Sequence, residues 1–133
     1  MITAMNKHDD SDRDPLTDKI IGACYKVHNE LGPGFVERIY LNALKIALKE
    51  LNLPYETEKE FPVYFQSKAI GKFRADLVVE NRVIVELKAL EGRLPKIFES
   101  QVISYLKASK LKVGLLINFG SRFCKVRRLM LSL

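Results

Sequence analysis

The stretch from Phe73 to Leu90, FRADLVVENRVIVELKAL, constrains the fold of this chain more than any other. Its density of valine, isoleucine and leucine around a polar Glu80-Asn81-Arg82 turn predicts two antiparallel strands joined by a tight loop. Four charged residues break the apolar pattern: Arg74, Asp76, Glu86 and Lys88. Side chains alternate between strand faces, so the hairpin register decides what lies opposite what. A three-residue loop, Glu80 to Arg82, sets Val79 against Val83, Leu77 against Val85 and Asp76 against Glu86. One face is then unbroken: Leu77, Val79, Val83, Val85 and Leu87. The other carries Arg74, Asp76, Val78, Ile84, Glu86 and Lys88. A two-residue loop would mix charge into the apolar side, so the pattern favours the register that pairs the two carboxylates.

Carboxylates facing each other across a ladder sit roughly 5 Å apart and repel. A hard divalent cation such as magnesium or manganese would relieve that repulsion and still leave positions for water and phosphate. Lys88, two residues beyond Glu86 on the same face, could reach a phosphate or a water beside such an ion. This is the equipment of metal-assisted phosphodiester hydrolysis. The competing reading is a solvated salt-bridge ladder on the open face of a sheet. Against it, Val78 and Ile84 share the charged face, which predicts a covering layer on that side too.

Asp76 followed by Glu86-Leu87-Lys88 at the end of a buried second strand resembles the bipartite signature of the PD-(D/E)XK nuclease superfamily, with Ala75 standing where a proline is usual. Gly34-Phe35-Val36-Glu37-Arg38-Ile39-Tyr40 resembles the G-x-x-E-x-x-Y pattern of a group of small bacterial and archaeal proteins assigned to that superfamily. Gln101 and Tyr105 resemble the Gln-x-x-x-Tyr motif of its RecB-like branch. The resemblance implies a restriction-endonuclease-like α/β core, with a mixed sheet of about five strands flanked by helices. It implies a magnesium-dependent deoxyribonuclease, with manganese as a substitute ion. Asp76, Glu86, the Leu87 carbonyl and Glu37 would hold the metal. Lys88 would orient the attacking water, and Gln101 and Tyr105 would frame the scissile phosphate. Many members act as homodimers, and a homodimer is carried as an expectation that no surface in the sequence marks. The alternative function is a non-catalytic nucleic-acid-binding or regulatory protein that keeps the fold.

The rest of the chain supplies the frame. At 133 residues, 47% hydrophobic and 29% charged, it fits one domain with a modest core. Residues 1–14 hold four aspartates against one lysine and one arginine and read as a disordered acidic tail, with residues 15–133 as a single domain. The net charge is +6, so the folded part is more basic than the whole chain, which suits a nucleic-acid partner. No apolar run approaches a membrane span and no signal peptide opens the chain, so the expected location is cytoplasmic, without membrane. Cys24 and Cys124 lack metal spacing and read as reduced thiols.

Pro15 opens a helix that runs to a stop at Gly32-Pro33-Gly34. His28 near its end reads as a packing or dipole partner, with a ligand role the minority reading. A second helix is predicted from Phe35 to about Asn52, with Val36, Ile39, Tyr40, Ala43, Leu44, Ala47, Leu48 and Leu51 as its buried stripe and Glu37 at the edge of it. Tyr55 to Phe61 leads into a strand, Pro62 to Phe65, and the alternating Glu56, Glu58 and Glu60 read as an edge-strand solvated face and a guard against edge pairing. A third helix from Lys96 to about Ser109 places Gln101 and Tyr105 one turn apart, either as a half-buried polar pair or at the site. Lys112 to Phe119 reads as a central strand covered on both faces. A last strand, Arg122 to Leu131, carries Arg122, Lys125, Arg127 and Arg128 with no acid, either as a solvated edge or as a DNA-backbone contact, and Arg74 on the hairpin joins them as a candidate nucleic-acid contact.

Overall fold

The computed structural model describes residues 14–131, and residues 1–13 of the expected acidic tail lie outside the described residues. Asp14, counted with that tail, is instead the N-cap of the first helix. Its carboxylate accepts from the Thr17 N–H at 2.9 Å, satisfying one of the donors that a helix start leaves unpaired.

The chain runs α1 (Pro15–Leu31), α2 (Glu37–Glu50), β1 (Tyr55–Phe65), β2 (Lys68–Val79), β3 (Val83–Lys88), α3 (Ile97–Ser109), β4 (Val113–Asn118) and β5 (Lys125–Met130). The five strands form one sheet in the order β1-β2-β3-β4-β5. All neighbours are antiparallel except β3 and β4, which run parallel across the α3 crossover. The architecture is the expected mixed α/β sheet. Among the described residues no helix is long and apolar enough to cross a membrane.

Two apolar clusters cover the two faces. Leu77, Val79, Val83, Val85 and Leu87 pack with α1 and α2, as the alternation predicts. Val78, Ile84, Leu116 and Leu129 pack beneath Val102 and Leu106 of α3. The part of the charged face around Val78, Ile84 and Glu86 is therefore covered, and the solvated-ladder reading does not hold there. Cys24 and Cys124 are free thiols, and burial pushes the Cys124 thiol up to about 12.

Two expectations about faces are corrected. The stripe drawn for α2 is wider than one helix face. The helix buries the half centred on Tyr40, Leu44 and Leu48, with Leu41 and Ala47 beside it, and leaves Val36, Ile39 and Leu51 exposed. On β2 the alternation is interrupted. Phe73 and Ala75 join the cluster under α3, whereas Leu77 and Val79 join the other. In a regular strand all four would share one face. The exchange falls at Asp76, where the β1 partner position is taken by Glu58 with φ at +51°. As a result Arg74 does not share the face of Val78 and Ile84. It is exposed and paired with Glu58 at 3.1 Å and Glu60 at 3.8 Å.

Candidate active site

The hairpin closes on the predicted register, with Val79 opposite Val83, Val78 opposite Ile84 and Leu77 opposite Val85. Glu80 and Asn81 take positive φ and the Arg82 N–H returns to the Val79 carbonyl at 3.0 Å. One step further from the turn the regular ladder stops. The Glu86 carboxylate accepts the Asp76 N–H at 2.7 Å, and the Asp76 carboxylate accepts the Leu87 N–H at 2.8 Å. Each acid thus occupies the backbone donor of the opposite strand. The two are locked in place where β2 changes face, and each has its second carboxylate oxygen outside this bridge.

Burial makes that arrangement costly. Glu86 is only 5% exposed, and its carboxyl is pushed up to about 8, first by loss of solvent and then by the Asp76 charge. The Asp76 N–H and the Lys88 ammonium act in the other direction without cancelling the rise. Asp76 is also raised by burial, against the Leu87 N–H and the Lys88 and Arg38 charges. Glu37, in the first turn of α2, is raised by burial while Lys88 pulls it down and Asp76 pushes it up. Tyr105 on α3 is raised by burial and by Glu86 and Asp76. Residues from α2, β2, β3 and α3 therefore share one electrostatic neighbourhood.

Glu37, Arg38, Leu41, Asp76 and Leu87 line a cavity of about 80 Å³. A single water needs about 15 Å³ of such space, so an ion with part of its shell has room. No group of three histidine, cysteine or acidic side chains among the described residues is gathered tightly enough to hold a metal by itself. Glu37 and Asp76 bring carboxylate oxygens to its wall beside the Arg38 guanidinium, Glu86 is not part of the lining, and burial raises the proton affinity of both Asp76 and Glu86. Both properties fit a hard divalent cation, which takes few protein carboxylates and completes its shell with water.

Lys88 is half-buried, makes no ion pair among the described residues, and holds its Nζ 4.2 Å from the centre of the Phe98 ring. Gln101 and Tyr105 are half-buried one turn apart. The Tyr105 ring stacks on Phe73 at 4.0 Å, and Phe73 stacks on Phe61 at 5.2 Å. The predicted cationic strand divides. Arg122 and Lys125 are exposed and make no ion pair among the described residues. Arg127 is paired with Glu99 at 3.1 Å. Arg128 is 3% exposed, lies 3.5 Å from the Asp14 carboxylate, and donates to the Met130 sulfur at 3.3 Å. A guanidinium held inside the fold has no face to offer a phosphate, which corrects the expectation for Arg128.

Three residues have roles in the structure that the sequence did not assign to them. Arg38 lines the cavity and reaches Glu58 at 3.0 Å; its position beside Glu37 was the available signal. Tyr40 is fully buried, donates to the Gly32 carbonyl and accepts the Phe35 N–H at 3.2 Å, so it ties down the loop that presents Glu37. Asn118, a lone polar residue ending an apolar strand, accepts from the Leu90 and Gly120 N–H groups at 3.0 Å and donates to the Leu90 carbonyl at 2.9 Å. It fixes the loop that follows Lys88. His28 is a packing residue, with Nε2 donating to the Ser121 carbonyl at 2.9 Å and its ring stacked on Phe119.

No curated protein and no solved structure matches the chain. A family model described as the PD-(D/E)XK nuclease superfamily matches residues 14–129, from the cap of α1 almost to the end of β5. With that match across the whole described fold, the chain belongs to the PD-(D/E)XK nuclease superfamily.

Proposed function

We propose that this chain is a metal-dependent nuclease that hydrolyses phosphodiester bonds in DNA, with Mg2+ as its ion and Mn2+ as a substitute. The observation that carries this reading is the pair of Asp76 and Glu86, each locked onto a backbone N–H of the opposite strand, at 2.8 and 2.7 Å, two adjoining acids that a divalent cation would neutralise. Asp76, Glu86, the Leu87 carbonyl and Glu37 would hold the ion. There it would polarise a phosphate oxygen and make water more acidic. Lys88 would orient the attacking water and offset charge building on the phosphorus. Its ammonium influences all three acids and rests on Phe98 with no ion pair among the described residues, which suits it to meet a substrate. Tyr105 stays a neutral phenol, since burial moves its pKa further up, and with Gln101 it would donate to the scissile phosphate. Arg122 and Lys125 would contact the DNA backbone.

A second reading, binding without turnover, is favoured by one observation: Glu37 is not gathered with Asp76 and Glu86 into a closed ligand group. Digestion of supercoiled plasmid and of single-stranded DNA with Mg2+ or Mn2+, comparing the wild type with Lys88→Ala, separates the two. The nuclease reading expects metal-dependent cutting that falls at least 100-fold in the variant. Binding with no cutting under any condition leaves only the second reading, and cutting of RNA but not DNA refutes the substrate assignment.

A further inference from the structure

A second concave feature begins where the active site ends. Ala89, the residue after Lys88, is on the wall of a groove of about 660 Å³ that also takes in Phe35, Gly120, Arg122, Phe123 and Lys125. Its size lies within the about 300–1,000 Å³ typical of ligand sites. Three loops distant in sequence build it, and each is held rigidly. Asn118 clamps the first through Leu90 and Gly120. Gly120 lets the second approach, because a Cβ there would lie 2.3 Å from the Leu90 nitrogen. Tyr40 holds the third through Gly32 and Phe35, and itself stacks on Phe119 at 4.7 Å.

The chemistry of the rim is mixed in a specific way. Phe123 is 67% exposed and Phe35 is 44% exposed. Arg122 lies 5.4 Å from the Phe123 ring, and Lys125 stands close by. Glu91 is the one acid on the lining. Large aromatic surface left in water is unfavourable unless a partner covers it. Exposed rings beside cations with no ion pair among the described residues are what nucleic-acid bases and phosphates need together: a face to stack on and a charge for the backbone. The bases of a duplex are already stacked and do not present those faces.

We infer that this groove binds unpaired nucleotides, with a base stacked on Phe123 and the backbone held by Arg122 and Lys125, so that the substrate of the adjacent site is DNA with a single-stranded segment. The inference rests on the nuclease reading for what happens to the strand, and the binding itself is independent of cutting.

The test is fluorescence anisotropy in EDTA, with a labelled oligothymidylate of about 12 nucleotides and a duplex of the same length. The wild type should prefer the single strand. Phe123→Ala should weaken single-strand binding roughly 5- to 100-fold with little effect on the duplex, and Phe123→Trp should restore it. Arg122→Ala should lower the slope of log K against log salt by about 0.7. Because Phe123 is exposed, its variants should keep the wild-type circular dichroism spectrum and Tm. Duplex binding as tight as single-strand binding by the wild type, or Phe123→Ala within twofold of wild type on the single strand, overturns the inference even if the enzyme cuts. Loss of stacking in Phe123→Ala together with an inert wild type sinks the nuclease reading and leaves the groove standing.

Discussion

Replacing Glu86 by glutamine tests the source of the site's unmet charge. The folded-state pKa of this carboxyl is pushed up to about 8 from an ordinary 4.5. Between those two values the folded protein keeps a proton that the unfolded chain has released. The unfolded state therefore binds fewer protons, and stability falls as pH rises through this window. The effect is absent below about pH 4.5 and fully developed above about pH 8. At 1.36 kcal/mol per unit the full shift corresponds to about 4–5 kcal/mol, and its coupling to Asp76 brings the expected share to roughly 2–4 kcal/mol. Glutamine keeps an acceptor for the Asp76 N–H but cannot ionise. In EDTA at pH 8.5, Glu86→Gln should be roughly 2–4 kcal/mol more stable than the wild type in urea unfolding, and at pH 5 the difference should nearly vanish. Adding Mg2+ at pH 8.5 should close most of that gap, since an ion at 100 times its Kd stabilises the wild type by about 2.7 kcal/mol and the variant by little. Parallel pH profiles for the two proteins, or equal stabilisation of both by Mg2+, would refute the idea that Glu86 is a buried acid awaiting a cation.

Two further outcomes follow from the frame around the site. Gly120→Ala would drive a methyl group into the backbone of Ala89 and Leu90, atoms 2.3–2.6 Å away that cannot rotate aside, so thermal melts should show a loss at or above the roughly 1–3 kcal/mol of an overpacked core; a Tm within about 2 °C of wild type would contradict it. Arg128→Met should leave DNA affinity within twofold of wild type, because this guanidinium is enclosed and spent on Asp14, whereas Lys125→Ala should weaken binding and flatten its salt dependence. Equal loss of affinity in both variants would mean that Arg128 reaches the nucleic acid after all.

What could be read ahead of the structure divides along a physical line. Periodicity reports which face a residue occupies in a regular element, and it succeeded for the hairpin register, the limits of α1 and the buried β4, while on α2 it marked a stripe wider than one helix face. It failed where geometry departs from the regular, and those departures cluster at the site. The opposition of Asp76 and Glu86 was legible, because only one register keeps Leu77, Val79, Val83, Val85 and Leu87 together. Their resolution was not: each acid takes a backbone N–H of the other strand, and nothing in residue types says that a ladder will open by one step to allow it. The face change at Asp76 rests on a glutamate with positive φ on the neighbouring strand, a conformation that sequence propensity assigns to glycine or asparagine. Arg128 looked like surface charge because its partner, Asp14, lies 114 positions away. Strand pairing that stops early is thus the feature that frees two carboxylates from mere decoration. A sheet continuing its regular ladder through positions 76 and 86 would have satisfied its own backbone without the two carboxylates, with no reason for Glu86 to hold a proton near neutral pH.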